Sequence, residues 1–263
     1  KITILNESDG LSRATLDKYT APLLGHLEAA NHDAKLMSED YCGALVIEEF
    51  ETTGLIGETG DSRYNLDEDL QRWNNFWHGE AKEIKGGRSL GRRGQGKITY
   101  HLASGASTVL AVSNQEDGAS DLLFGKCIFR KTHELDDKFY NRHAYWCEQK
   151  IIDEDVQPTP IVCRETLKQF KSDFKISRTS EHGTSWVIPF IPLHNFTHER
   201  ILQELIREFF IAVLKADIIF DVGGKRIDAL NLEEAIKTYK AFSGEHLEYV
   251  NWLITGLAKR PNE

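Results

Sequence analysis

Several things are scarce in this sequence, and each absence removes a class of function. Its four cysteines, Cys42, Cys127, Cys147 and Cys163, are far apart and form no C-x-x-C pair. That spacing argues against a disulfide framework or a thiolate zinc site, and for buried reduced thiols in a cytoplasmic protein. The ten histidines are scattered, with no H-E-x-x-H or similar spacing. No apolar run approaches the roughly 20 residues of a membrane span, and no signal-peptide pattern is read at the start. Basic residues are outnumbered, 32 Lys and Arg against 41 Asp and Glu, for a net charge of −9. Such a chain is not expected to coat nucleic acid by itself, although a local basic patch is compatible with it. Met37 is the only methionine and the chain begins at Lys1, which suggests a piece of a longer protein. There is no internal repeat and no low-complexity tract.

What is present is ordinary globular material: 263 residues, 40% hydrophobic and 28% charged, enough for one large domain or two small ones. "KITIL" (1–5) reads as a short strand. Leu16, Tyr19, Leu23, Leu24 and Leu27 fall at helical spacing, and Pro22 is tolerated only in a first turn. One helix from near Thr20 to about Asn31 is therefore expected. "GALVIEEF" (43–50) reads as a buried strand, followed by the glycine-punctuated "ETTGLIGETG". Leu66, Leu70, Trp73, Phe76 and Trp77 line one helix face, which suits a core better than a base-stacking platform. "KITYHLAS" opens a further helix. Residues 107–113, 121–133 and 184–192 read as strands, and "FRKTHELDDKFYNRH" as a solvated strand edge. Thr197 caps a strong helix over 197–216, "DIIFDVGGKRIDAL" reads as a hairpin, and helices near 231–240 and 244–258 close the chain. The order predicts an α+β fold, a two-layer α/β sandwich with a mixed sheet, rather than a doubly wound one.

The stretch "GRRGQGK" (91–97) invites a phosphate-binding reading. Gly91, Gly96 and Lys97 fit G-x-x-x-x-G-K, but a P-loop then needs Ser or Thr for magnesium, and Ile98 stands there. The upstream "HGEAKEIKGGRSL" is also too polar and glycine-rich to be a central strand.

Four elements in order resolve this: "LEAANHDAK", "VIEEFETTGLIG", "GRRGQGK" and "HGTSWVIP". Their order over roughly residues 10–192 resembles the GHKL ATPases (gyrase, the heat-shock chaperone, histidine kinases, MutL), whose nucleotide pocket is the Bergerat fold. The resemblance implies a family ATP-binding domain over 1–195 and a small C-terminal α+β extension over 196–263, the start of a transducer-like domain. In the family E-x-x-x-N-x-x-D-A, an asparagine holds magnesium and a glutamate is the general base. Asp33-Ala34 matches the end of that pattern, which would put His26 at the base and Ala30 at the asparagine. The other register uses Asn31 as the Mg²⁺ ligand and Glu28, on the same helix face, as the base. It is favoured because Ala30 has no atom that reaches a metal.

In the family D-x-G-x-G, the aspartate accepts the adenine amino group. Glu49 stands in that place, longer by about 1.5 Å of bond. Glu51 and Thr53 occupy the glycine places, with Gly54 and Gly57 just beyond. In the family the glycine loop G-x-x-G-x-G is the hinge of the ATP lid. Gly91, Gly94 and Gly96 fit it, and Arg92, Arg93, Gln95 and Lys97 would close with them over the polyphosphate at a helix start. Thr184, from the G-T pair, would support Glu49.

The resemblance thus implies an Mg²⁺-dependent ATPase with slow turnover, whose lid closure over ATP drives homodimerisation or engagement of a larger protein partner. Nucleic acid would be reached only through that partner, and no membrane is involved. Similar glycine-rich lids occur in stand-alone ATP-binding subunits of prokaryotic restriction or phage-defence systems. The departures at His26, Ala30, Glu49 and Glu51 sustain a second reading, a nucleotide-sensing module with negligible turnover. A third is a protein without a nucleotide site.

Overall fold

A computed structural model describes residues 1–38, 40–59, 71–79, 95–116, 118, 120–152 and 154–258. The chain forms two compact units, Leu5–Pro192 and a smaller one of Lys1–Ile4 with Leu193–Glu263. In chain order the elements begin with β1 (Ile2–Asn6), α1 (Arg13–Thr20), α2 (Leu23–Ala29), α3 (Lys35–Ser38) and β2 (Gly43–Glu48). Next come α4 (Arg72–Trp77), α5 (Gln95–Ala103), β3 (Thr108–Asn114) and β4 (Asp121–Ile128). Short strands follow, β5 (His133–Leu135), β6 (Lys138–Tyr140), β7 (His143–Trp146), β8 (Glu148–Ile152) and β9 (Asp155–Thr159). Helix α6 (Arg164–Asp173) and β10 (Gly183–Pro189) complete the larger unit. The smaller unit adds α7 (His198–Leu214), β11 (Phe220–Val222), β12 (Lys225–Ile227), α8 (Leu232–Thr238) and α9 (Gly244–Ala258). Antiparallel pairs dominate, and β1 pairs parallel to β11, so the fold is α+β with both pairing modes.

In the larger unit β2, β10, β3, β4 and β7 pair antiparallel in that order. Side chains alternate across the ladder, as a strand's two-residue period requires. Val46, Leu110, Val112, Leu123 and Val187 face a core completed by Leu16 and Tyr19 of α1, Leu27 of α2 and Phe170 of α6. Val109, Ala111, Leu122, Phe124 and Trp186 face the other way, where Trp73 and Trp77 of α4 cover them. Tyr100 of α5 packs on that second cluster. Helices therefore cover both faces of this sheet, an α+β arrangement compatible with the expected α/β sandwich. Each fully buried Phe or Leu contributes about 1.5–3 kcal/mol, so both faces bear on stability.

Local chemistry explains the remaining differences. The single helix expected from Thr20 to Asn31 is two helices. Pro22 has no N–H to give to α1, and stands instead as the N-terminal cap residue of α2. The strand expected over 121–133 stops at Ile128, and His133 opens a separate ribbon, β5–β6, turned by Asp136 and Asp137 at φ 51° and 59°. In the smaller unit Thr197 caps α7 as expected, its side chain accepting from the Arg200 N–H at 3.2 Å. Gly223 and Gly224, at φ 57° and 81°, make the left-handed turn between β11 and β12. Leu202, Ile206, Val222, Ile227, Ile236 and Val250 form this unit's own core. Among the described residues no helix is long and apolar enough to cross a membrane.

Candidate functional site

The exit of β2 gathers the densest set of sequence-predicted residues. The Glu49 N–H donates to the Thr184 carbonyl at 2.9 Å, extending the β2–β10 ladder by one residue. Glu48 and Glu49 consequently point to opposite faces. Glu48 is buried, and its carboxylate accepts from the Ser177 N–H (2.9 Å), the Ser177 hydroxyl (2.8 Å) and the Arg178 N–H (3.2 Å). Glu49 is exposed on the face of α4 and α5, where its Oε1 accepts from the Trp186 indole N–H at 3.3 Å. Tyr100 of α5 stacks on Trp186 with ring centroids 5.2 Å apart and planes 19° from parallel. Burial first, then the Glu49 charge, pushes the Tyr100 hydroxyl up to about 12.

The turn after Glu49 needs unusual backbone angles. Glu51 adopts φ 57° at a place where the family pattern has glycine. Gly54, at φ 67°, lies so close to the Asn114 carbonyl that an added Cβ would sit 2.5 Å from it. Ser113 ties the turn down. Its hydroxyl accepts from the Leu55 N–H at 2.9 Å and meets the Thr184 hydroxyl at 3.3 Å. The Gly57 carbonyl accepts from the Gln115 amide at 3.2 Å. Glu49, Gly54, Gly57 and Thr184 are thus assembled in one place. Thr184 serves the turn through Ser113 and Glu49 through its backbone; its hydroxyl is bonded to Ser113 rather than to the Glu49 carboxylate.

The other predicted residues are placed differently. Gly91, Arg92, Arg93 and Gly94 lie outside the described residues. Gln95 begins α5, its side chain outside the description. Gly96 follows, with open space where a Cβ would sit. Lys97 was expected on a phosphate, but its ammonium donates to the Asn75 carbonyl at 2.7 Å and to that of Gly79, at the C-terminal end of α4. Such carbonyls carry the negative end of the helix dipole and attract a cation.

Asn31 was expected on magnesium. It is instead the left-handed residue that ends α2, at φ 58°, with its N–H on the Glu28 carbonyl and the His32 N–H on that of Leu27. That is a Schellman closure, a place asparagine fills next best after glycine. Glu28 is exposed on the same helix, and α2 packs on the sheet face opposite Glu49. In the alternative register Ala30 is fully buried, and His26 Nδ1 lies 2.8 Å from His133 Nε2. Among the described residues no group of three or more His, Cys, Asp or Glu side chains could hold a metal ion.

Sequence reasoning missed Trp186, Tyr100, Ser113 and Arg178. Only the strand alternation of "GTSWVIP" carried a signal, since it puts Trp186 on the same side as Thr184. Searches against protein-family models, curated proteins and solved structures found no match to this chain.

Proposed function

We propose that this chain is a nucleotide-binding module that seats a purine at Glu49 and senses its occupancy without appreciable turnover. The observation that carries this reading is the exposed Glu49 carboxylate beside the Tyr100–Trp186 stack, at a turn closed by Gly54, Ser113 and Thr184. A carboxylate accepts the amino protons of a purine edge, and the half-buried Tyr100 ring beside it offers apolar surface to the plane of the base, backed by the buried Trp186. Tyr100 stands five residues into α5 from Gln95, an axial rise of about 7.5 Å from the helix start. The positive end of the α5 dipole is suited to the phosphate tail of the same nucleotide. The placement of Glu28 and Asn31 across the sheet from Glu49 supports sensing over hydrolysis.

Calorimetric titration with ATP, ADP and a non-hydrolysable analogue tests the reading beside a phosphate-release assay. Saturable binding, weakened by Glu49→Gln and accompanied by negligible phosphate release, is the expected result. Release that falls with Glu28→Ala would instead establish the Mg²⁺-dependent ATPase. No calorimetric or thermal response to any nucleotide would leave the turn as structure alone.

A further inference from the structure

The guanidinium of Arg178 is almost wholly buried, 1% exposed, which is rare for so costly a group. It is fully employed. Nε donates to the Ser185 hydroxyl at 3.1 Å, Nη1 to the Glu181 carbonyl at 2.7 Å and Nη2 to the Glu49 carbonyl. Its Cζ lies 4.8 Å from the centre of the Phe50 ring. Its own backbone N–H donates to Glu48 at 3.2 Å. One side chain therefore joins the start of β10, the turn at Glu181 and the two residues at the exit of β2.

We propose that Arg178 is the positioning residue of the nucleotide site: its planar fork holds the Glu49 carbonyl, and so aims the Glu49 carboxylate at the purine from the opposite side of the sheet. The inference rests on the nucleotide-binding reading and goes beyond it, because Arg178 touches no ligand. The fork matters more than the charge. Three donors in fixed directions reach Ser185, Glu181 and Glu49 together, whereas an ammonium on a flexible stem reproduces the charge without that geometry. Phe50 holds the guanidinium plane, as an aromatic face does for Arg.

The test compares ATP with inorganic tripolyphosphate, which shares the phosphates and lacks the base, in wild type, Arg178→Lys, Glu49→Gln and the double variant. Arg178→Lys is expected to weaken ATP about tenfold, or 1.4 kcal/mol, and to leave tripolyphosphate binding unchanged. In the Glu49→Gln background it should weaken ATP no further, since both changes remove the same contact. Should Arg178→Lys fail to fold, Phe50→Ala loosens the guanidinium while keeping it, and the same comparison applies.

ATP binding at the wild-type level in Arg178→Lys, with Glu49→Gln weakened, overturns the positioning role and leaves the nucleotide reading intact. Equal losses of ATP and tripolyphosphate mean that Arg178 only supports the fold, and overturn it too. So does a further loss on adding Arg178→Lys to Glu49→Gln. If the wild type binds no ATP, the nucleotide reading falls and takes this inference with it.

Discussion

Glu48 and Glu49 are neighbours in the chain and serve opposite faces of one sheet, Glu48 buried under Ser177 and Arg178, Glu49 open beside Trp186. Two adjacent, identical side chains therefore have separable consequences. Glu48→Ala leaves the Ser177 N–H and hydroxyl and the Arg178 N–H without their acceptor, and the buried Arg178 guanidinium without a nearby counter-charge, and should cost about 3–5 kcal/mol in a urea titration. Glu49→Ala should shift the urea midpoint little, because its carboxylate is already solvated, while removing nucleotide binding.

The closeness of β10 to the β2 exit yields a second expectation. A Cβ on Gly183 would overlap the Glu49 carbonyl, and its φ of 129° is closed to other residues. Gly183→Ala should lower stability by roughly 2 kcal/mol or more, since strain and clash add. Gly224→Ala is the control. Its φ is also positive, 81°, but nothing lies within 4 Å, so it should cost about 1 kcal/mol. Thermal denaturation of the two variants checks the ordering.

Asn31 separates a capping role from a metal role. Asn31→Gly keeps the left-handed closure and should leave stability unchanged within a few tenths of a kcal/mol, whereas Asn31→Val should cost about 1–2 kcal/mol. Neither change should alter ATP affinity in the presence of Mg²⁺. A selective loss of Mg²⁺-dependent binding in Asn31→Gly would restore the metal role.

Acid sensitivity follows from two imidazoles. Burial chiefly, with Lys126 and His143 adding to it, holds His78 down at about 4. His101 is also at about 4, lowered mainly by burial, with the Ser107 carbonyl opposing and Lys126, His143 and Lys97 adding. Both folded values lie below the unfolded value of about 6.5. Their contribution is therefore complete above that pH and is lost as pH falls toward 4, by up to about 1.4 kcal/mol per pH unit for each proton. Urea midpoints between pH 7.5 and 4 should fall accordingly. His78→Phe, which keeps the ring contacts with Phe124 and Tyr145, should reduce the slope by the share of one proton.

Much of the framework was legible because burial leaves a period in the sequence. "GALVIEEF", "STVLAVS" and "TSWVIPFIP" became β2, β3 and β10, and the Thr197 cap announced α7. Helix α6 escaped because its buried face is only Leu167 and Phe170 among polar residues. Ribbons β5–β6 and β8–β9 are short and largely exposed, so no alternation marks them. Glu49, Gly54 and Thr184, singled out in the sequence, lie together in the structure, since each sits at a strand end beside a turn. The pairing of Glu28 and Asn31 with them could not be judged from spacing. Amphipathic pattern says that α2 has an apolar face, but which side of the sheet receives it is settled by long-range packing. Arg178 was invisible for the same reason, being 129 residues from the carbonyl it holds.

Helix α4 depends on cations from two other elements. Lys97 of α5 holds the Asn75 and Gly79 carbonyls, and Lys126 of β4 holds that of Trp77 at 2.7 Å. Lys97→Met should lower the melting temperature and redden tryptophan emission, as Trp73 and Trp77 lose their dry surroundings.

Six residues make fewer than two turns, well under the length at which a helix sustains itself in water. Whatever draws an ammonium group off those carbonyls, an anion or an acyl modification alike, also unlatches the cover of the indole-lined side of the sheet. Solvent access to that side of the sheet is then set by where two ammonium groups rest.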